Sequence, residues 1–140
     1  MCWSNNMATP IVLKKPLKVY KVGTPVNLRK PRVHRFISLY QDFIYCKCKT
    51  MPTIEINLEF TRYASDVGYL GALWEYDRFY IHEGYHSYLT EETAKYARTT
   101  YSPHVGIGVF EIPIGATIYV NYKLREVVST DIKYLGALKL

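Results

Sequence analysis

The chain has 140 residues, a hydrophobic fraction of 49% and a formal net charge of +6, which indicate a folded domain with its own core and exclude a disordered protein. No apolar run is long enough to cross a bilayer as a helix, and the N-terminus lacks the basic and apolar segments of a secretory signal, so no membrane partner is expected. Three cysteines are too few, and odd in number, for a disulfide scaffold, which predicts a cytoplasmic protein.

The first third of the chain predicts strands separated by a basic loop. The alternation of apolar and polar residues in Leu17–Val22 predicts a strand. The prolines of residues 23–32 disfavour a helix and indicate a loop. Residues 36–49 are rich in β-forming types and predict one strand, with the alternative of a break near Gln41 and Asp42.

The middle of the chain predicts two strands and a helix. Apolar and polar residues alternate strictly in Thr53–Tyr63, which predicts a half-buried strand. Residues 79–88 favour a strand and a turn. Thr90 can cap a helix that runs through Arg98, because two glutamates follow it where they suit the positive end of the helix dipole.

The last third predicts the strands that complete a sheet. Residues 105–122 indicate a strand pair or a bent strand around a Pro-Ile-Gly segment, and residues 127–138 indicate a closing strand. Together the elements predict a single α+β domain over residues 11–140, mainly antiparallel sheet with one or two short helices. Residues 1–10 are expected to form a flexible lead.

The positive charge is concentrated in the first third of the chain. Residues 1–50 contain ten Lys and Arg against one acidic residue, whereas residues 51–100 contain four against eight. This distribution predicts a basic face and an acidic face. The basic face can bind an anionic partner, and the same asymmetry can also serve solubility or the pairing of subunits.

Aromatic residues interleave with these cations, which is typical of surfaces that bind nucleotides or single strands. The aromatic positions are Tyr20, Phe36, Tyr40 and Tyr45. The alternative is that the fourteen tyrosines fill half-exposed positions of a small β-rich fold. The predicted ligand-binding residues are Lys18, Tyr20, Lys21, Arg29, Lys30, Arg32, Arg35, Tyr85, His86 and Tyr88.

Residues 82–86 match the H-E-x-x-H pattern of zinc proteases. That chemistry needs a helix, which places both histidines and the glutamate on one face. Gly84 interrupts the motif and β-forming residues flank it, so a strand is expected, in which His82 and His86 share a face and Glu83 points away. Two ordinary histidines near a turn are therefore predicted, and a zinc site on them is the alternative. No cofactor is expected.

Several segments resemble, in order, a group of small proteins from Bacteroides-type gut bacteria and their phages. They are Met1–Trp3, Leu17–Val22, Ile81–Tyr88, Glu111–Tyr119 and Glu126–Tyr134. The resemblance covers most of the chain through loose motifs and carries no activity. It implies a phage or mobile-element origin, and small phage proteins of this kind often counter host defence by binding a protein, a nucleic acid or a signalling nucleotide.

A weaker resemblance, at the level of the fold, is to ADP-ribosyltransferase-like domains. It rests on a basic residue in the first strand, a Gly-aromatic-x-Ser segment before a short helix, and a glutamate in a late strand. The positions that it implies for catalysis are Lys21 or Arg29, Ser87 with Tyr88, and Glu111 or Glu126.

Three hypotheses follow from these patterns. The leading one is a non-enzymatic protein that binds an anionic partner, which is a nucleic acid, a nucleotide or a host protein with an acidic surface. The second is an ADP-ribosyltransferase-like enzyme that acts on a nicotinamide nucleotide. The third is a virion or assembly component, a homo-oligomer whose two charged faces pack subunits head to tail.

Overall fold

A computed structural model describes residues 2–4, 9–29, 32–39, 43–67, 72–81 and 83–140. These residues form an antiparallel β structure with one helix, which agrees with the predicted α+β class. No helix in the described ranges is both long and apolar enough to cross a membrane. The elements are β1 (Cys2–Ser4), β2 (Ile11–Val12), β3 (Leu17–Arg29), β4 (Arg32–Ser38), β5 (Ile44–Cys46), β6 (Leu58–Val67), β7 (Ala72–Ile81), β8 (Tyr85–Tyr88), α1 (Glu91–Tyr101), β9 (Gly106–Ile112), β10 (Thr117–Asn121), β11 (Glu126–Ser129) and β12 (Lys133–Ala137).

The larger of the two sheets is partly closed into a barrel. Its strands follow the order β12-β9-β3-β8-β11-β10-β2, with β4 paired to β3 and β5 paired to β4. The chain after β5 returns to β12, where Lys47 bridges to Tyr134 and Thr50 bridges to Lys133. Strands β3, β4, β5, β12 and β9 therefore enclose a small barrel, and β8, β11, β10 and β2 extend the sheet beyond it.

Strand β3 changes its pairing at Gly23. Gly23 lies opposite Gly106 at the end of the pairing with β9 and opposite Ser38 at the start of the pairing with β4. A methyl group at Gly23 would lie 2.2 Å from the carbonyl oxygen of Ile37 and 2.7 Å from the Phe36 ring. Only glycine allows this close approach of two backbones.

Four aromatic rings fill the barrel. Phe110 lies at their centre, with ring centroids 5.3 Å from Phe36, 4.9 Å from Tyr45 and 5.1 Å from Tyr134. All four side chains are buried. Rings at these separations, tilted or edge to face, pack favourably and bury a large apolar area. The closed part of the sheet is therefore held by its aromatic interior.

Helix α1 begins where the sequence predicts. The Thr90 hydroxyl accepts a hydrogen bond from the Thr93 amide at 3.2 Å, which confirms Thr90 as the N-cap. The helix ends at Tyr101, three residues beyond the predicted end at Arg98. It packs on strands β3, β8 and β9, and its small buried residues allow close contact with the sheet.

The segment predicted as a basic loop, residues 23–32, lies instead mainly in strands β3 and β4. Pro25 lies opposite Phe36 in the pairing with β4. This part of β3 pairs with β4 alone among the described strands, so it is an edge where proline is tolerated. Residues 36–49 contain the end of β4 and all of β5, which favours the alternative with a break. Gln41 and Asp42 themselves lie outside the described residues.

The C-terminal predictions also need correction. Residues 127–138 do not form one strand, because β11 pairs with β8 and β10 whereas β12 pairs with β9. Strands β9 and β10 do not pair with each other, although the turn between them is where Pro113 and Gly115 indicate it. Pairing partners depend on distant segments, which local alternation does not report.

Two further segments differ from the expectation in detail. In Thr53–Tyr63 the strand starts only at Leu58, although exposure alternates from Ile54 to Leu58 as predicted. The residues just before Leu58 form hydrogen bonds to the segment that follows β11. The Ile54 amide donates to the Thr130 carbonyl at 2.9 Å. Within the expected flexible lead, β1 pairs with β7, and Trp3 lies opposite Phe79.

Candidate functional site

The predicted ligand-binding residues occupy different environments in the fold. Lys18 and Arg35 are exposed. The side chains of Arg29 and Arg32, and the whole of Lys30, lie outside the described part of the structure, so their role stays a prediction. The remaining residues of this set lie on β3 and β8 and are half-buried or buried.

Exposed cations cluster on the hairpin of β4 and β5 and on the turn that follows it. Arg35 lies opposite Cys46, the Lys47 amide donates to the His34 carbonyl at 2.8 Å, and the Lys49 amide donates to the Cys46 carbonyl at 3.1 Å. Within the described residues, neither Arg35, Lys47 nor Lys49 forms an ion pair. We call this hairpin surface, made of Arg35, Ile37, Ile44, Lys47 and Lys49, the cationic ribbon.

The cationic ribbon also exposes apolar side chains. Ile37 lies directly opposite Ile44, and the two are 44% and 55% exposed. Phe36 and Tyr45 form the adjacent pair and point the other way, into the barrel, where both are 0% exposed. The stacking platform predicted from these two rings is therefore not formed, because strand alternation turns them inward while Arg35, Ile37 and Ile44 face outward.

Lys21 lies at the point where the sheet branches. Strands β4 and β8 lie along the same edge of β3. The Val22 carbonyl accepts a hydrogen bond from the Leu39 amide just beyond β4, and two residues earlier Tyr20 pairs with Tyr88 of β8. The Lys21 side chain is 3% exposed, and its ammonium donates to the His86 carbonyl. The ammonium thus bonds a β8 carbonyl at the position where β4 and β8 separate.

The surroundings of Lys21 are aromatic. Its Nζ lies 5.4 Å from the centre of the Tyr45 ring and 5.7 Å from that of Phe110. Such contacts stabilise an ammonium only in part, and burial lowers the pKa of Lys21 from 10.5 to about 7. At neutral pH a large fraction of Lys21 is therefore uncharged. Lys21 is an interior residue and not part of an exposed basic face.

Two hydroxyl groups lie buried in the same interior, and neither has a hydrogen-bond partner among the residues that the structure describes. Ser87 is one residue from the Tyr20–Tyr88 pair, so it lies across from Lys21 on the same face of the sheet. Its Oγ is one of the two groups, and the Tyr45 hydroxyl is the other. Ordered water is the usual partner for such groups. A serine nucleophile would need access from outside, and Ser87 is only 5% exposed.

A row of polar residues crosses the opposite face of the sheet. Tyr20 on β3 pairs with Tyr88 on β8, which pairs with Glu126 on β11. Glu126 is half-buried, and its Oε2 has no hydrogen-bond partner within the described ranges of the chain. Burial raises the pKa of Glu126. Because Glu126 lies opposite Tyr88, its side chain points to the other face from Ser87, and the two do not share a cleft.

The second candidate glutamate, Glu111, has a different environment. It lies on β9 opposite Lys18 and forms an ion pair of 3.5 Å with Lys133 on β12. This half-exposed pair belongs to the outer surface. Of the two glutamates, only Glu126 lies within one strand of β8.

In the H-E-x-x-H segment, His86 is half-buried and Tyr85 is buried. Burial, and to a lesser degree the charge of Lys21, lowers the pKa of His86 to about 4, so His86 is neutral at physiological pH. Tyr85 is buried and donates to the Pro52 carbonyl at 2.5 Å. His82 lies outside the described residues. Among the residues that are described, no group of three or more metal-ligating side chains occurs.

Sequence reasoning missed the apolar half of the cationic ribbon. Ile37 and Ile44 alternate with Phe36 and Tyr45, so both faces of the hairpin carry hydrophobic residues. Such a pattern normally indicates a strand buried on both sides. Only the barrel decides that the aromatic set is inside and the isoleucine pair is outside.

Comparison of the chain with family models, with curated proteins and with solved structures finds no match in any of the three. The resemblances described above therefore remain expectations. Function is inferred here from the geometry and the charge of this chain's own residues.

Proposed function

We propose that this protein binds an anionic partner and that the cationic ribbon is its contact surface. The observation that carries the proposal is that Arg35, Lys47 and Lys49 are exposed, lie in one hairpin and the turn after it, and form no ion pair in the described part of the chain. Neighbouring cations raise each other's free energy, and an anionic partner relieves that repulsion.

The distribution of acidic residues supports this surface. Glu91 and Glu92 lie in the first turn of α1, where they interact favourably with the helix dipole, and Glu91 also pairs with Lys95 at 2.9 Å. Glu111 pairs with Lys133. These carboxylates have local partners, whereas the cations of the ribbon form no ion pair with any residue that the structure describes. A surface of one sign steers an oppositely charged partner and speeds its association.

Salt dependence tests this function. We expect a fluorescently labelled acidic peptide or single-stranded oligonucleotide to bind at low ionic strength and to lose affinity steeply as salt rises to the physiological level. Fluorescence anisotropy at several salt concentrations measures this. Binding that does not change with salt, or no binding by either probe, would contradict the proposal.

Charge reversal then locates the surface. Arg35→Glu with Lys47→Glu should weaken binding by about tenfold or more at low salt and flatten its salt dependence. Lys123→Glu with Lys139→Glu is the matched control, because both residues are exposed and the net charge changes equally. An equal loss in the control pair would show that only the net charge of the protein matters.

A second candidate function is an ADP-ribosyltransferase-like activity on a nicotinamide nucleotide. The observation that favours it is the Tyr20–Tyr88–Glu126 row, which brings a half-buried carboxyl with a raised pKa beside two tyrosines on neighbouring strands. A carboxyl in this environment can accept a hydrogen bond from a ligand hydroxyl when it is ionised. We propose that Glu126, rather than Glu111, acts if the protein is an enzyme.

Turnover of NAD by the purified protein tests this second function. Release of nicotinamide should fall to background in Glu126→Gln and stay unchanged in Glu111→Gln, because the latter carboxyl forms a surface ion pair instead. A thermal-shift titration with NAD and ADP-ribose measures binding independently of turnover. The enzyme hypothesis fails if the wild-type protein neither binds nor consumes NAD.

A further inference from the structure

The cationic ribbon combines two kinds of surface that a partner must cover together. We infer that its partner is an acidic protein segment that also presents apolar side chains, and this rests on the proposed function. The class of the partner can be named because the surface selects apolar groups as well as negative charge. Three features of the ribbon carry it.

The first feature is the arrangement of its outward rows. Ile37 and Ile44 form one pair, and Arg35 with Cys46 forms the next outward pair, separated by the inward pair that contains Phe36. Alternate pairs of a hairpin are about 7 Å apart. A partner segment can therefore place an apolar side chain on the isoleucines and a carboxylate near Arg35 when these two groups are about two extended residues apart.

The second feature is the chemistry of the exposed pair. Ile37 and Ile44 carry no polar group and are only half covered by the protein itself. Covering them with apolar atoms releases water and stabilises the complex in proportion to the apolar area buried. A phosphate backbone provides no such atoms. The described part of the ribbon also presents no aromatic ring on which a base could stack, because Phe36 and Tyr45 are inside.

The third feature is charge complementarity, which argues against a second copy of this chain on the same surface. In a symmetric dimer built on the ribbon, the same cation-bearing patch of the two chains would be brought together, which places Arg35 of each chain near other cations instead of carboxylates. The chain also carries a net charge of +6. A partner with excess carboxylates meets both the isoleucines and the cations without this repulsion.

The experiment compares probes of equal charge. Three labelled probes of equal net negative charge are measured by anisotropy: a peptide in which leucine and glutamate stand two residues apart with serine between them, the same peptide with serine in place of leucine, and a single-stranded oligonucleotide. We expect the leucine peptide to bind about tenfold more tightly than either of the others. Ile37→Thr with Ile44→Thr should remove that difference and leave the weak binding of the serine peptide unchanged.

A matched control tests whether any exposed isoleucine has this effect. Ile114 is exposed in the turn between β9 and β10, and Ile114→Thr should leave all three affinities unchanged. The threonine variants keep a β-branched side chain at exposed positions, and their melting temperatures check that they are folded.

Each alternative outcome has a distinct meaning. If the oligonucleotide binds as tightly as the leucine peptide, and the isoleucine variants bind it equally well, the inference fails while the proposed function stands. If no probe binds in a salt-dependent way, both fail. If the protein dimerises on its own and Ile37→Thr abolishes the dimer, a second copy covers the surface and the inference is wrong.

Discussion

Lys21 shows how one residue takes its role from its location. An amine on an alternating strand in the most basic part of the chain is expected to lie on the surface, yet Lys21 is buried and bonds the His86 carbonyl. Burying a charged group is costly, and the cost is reduced when the group loses its proton. Its position at the branch of the sheet, where β4 and β8 diverge, explains why a long side chain with a terminal donor lies there.

The free energy of unfolding should rise with pH above neutrality because of Lys21. Its pKa is about 7 in the folded protein and about 10.5 in the unfolded chain, so the unfolded state binds more protons between these values. Stability should therefore increase by up to roughly 1.4 kcal/mol per pH unit over part of this range. Urea unfolding at pH 7, 8 and 9, values inside the range of about 7 to 10.5, measures the increase.

Lys21→Met should abolish this increase, because no titrating amine remains in the interior. Lys18→Met is the control, since Lys18 lies on the same strand but is exposed, and the pH dependence should persist in that variant. An equally steep pH dependence in Lys21→Met would mean that other groups cause it, and Lys21 would then have an ordinary pKa.

At the scale of the element, β3 and the hairpin of β4 and β5 define the surface that we propose as functional. At Gly23 the pairing of β3 with β9 ends and its pairing with β4 begins, and in this register Phe36 enters the barrel while Ile37 faces outward. The strand thus determines which side of the hairpin can meet a partner.

Gly23→Ala should destabilise the protein by about 3 kcal/mol, because the added methyl group would lie 2.2 Å from a backbone oxygen that cannot rotate away. Gly115→Ala is the comparison. Its added methyl group would have no neighbour within 4 Å, and only its positive φ of 87° adds cost, about 1 kcal/mol. Denaturant unfolding measures both. A loss at Gly23 no larger than the loss at Gly115 would show that the surrounding chain makes room for the methyl group and that crowding does not determine the cost at Gly23, where φ is not positive.

At the scale of the whole molecule, the aromatic interior joins strands that are distant in the sequence. Phe110 on β9 contacts rings from β4, β5 and β12, which lie between residues 32 and 137. Contacts of this separation form only when the barrel closes, so the barrel should unfold as one cooperative unit.

Phe110→Ala should lower the free energy of unfolding by about 3–5 kcal/mol, because it removes the central ring and leaves a cavity. Tyr122→Ala is the control, since Tyr122 is an exposed aromatic residue, and it should change stability by less than about 0.5 kcal/mol. Far-ultraviolet and near-ultraviolet circular dichroism should report the same midpoint for each protein. Separate midpoints would contradict a single cooperative core.

Local patterns predicted those parts of the fold that depend on neighbouring residues. Thr90 and the two glutamates after it predicted the start of α1, because a cap and a dipole act within one turn. The alternation in Leu17–Val22 predicted part of β3. The same approach failed for residues 23–32 and 127–138, because pairing across an edge or with a distant strand is not recorded in local alternation.

The candidate site was predictable in charge but not in shape. The excess of Lys and Arg in residues 1–50 pointed to an anionic partner, and this excess is a property of composition alone. It did not separate exposed Arg35 from buried Lys21, because both lie in β-forming segments with similar neighbours. It also assigned Tyr45 to a surface, although that ring is in the core.

The sequence by itself determined the class of fold, the capped helix and the concentration of positive charge near the N-terminus. The first two depend on propensity and periodicity, which act over a few residues. The third depends on composition, which does not depend on the order of the residues. The tertiary structure alone decided that β3 is shared between a barrel and an extended sheet, that Lys21 is inside, and that Ile37 and Ile44 are outside beside Arg35. These depend on which distant strands pair, because closure of the barrel assigns each face of a strand to the core or to solvent.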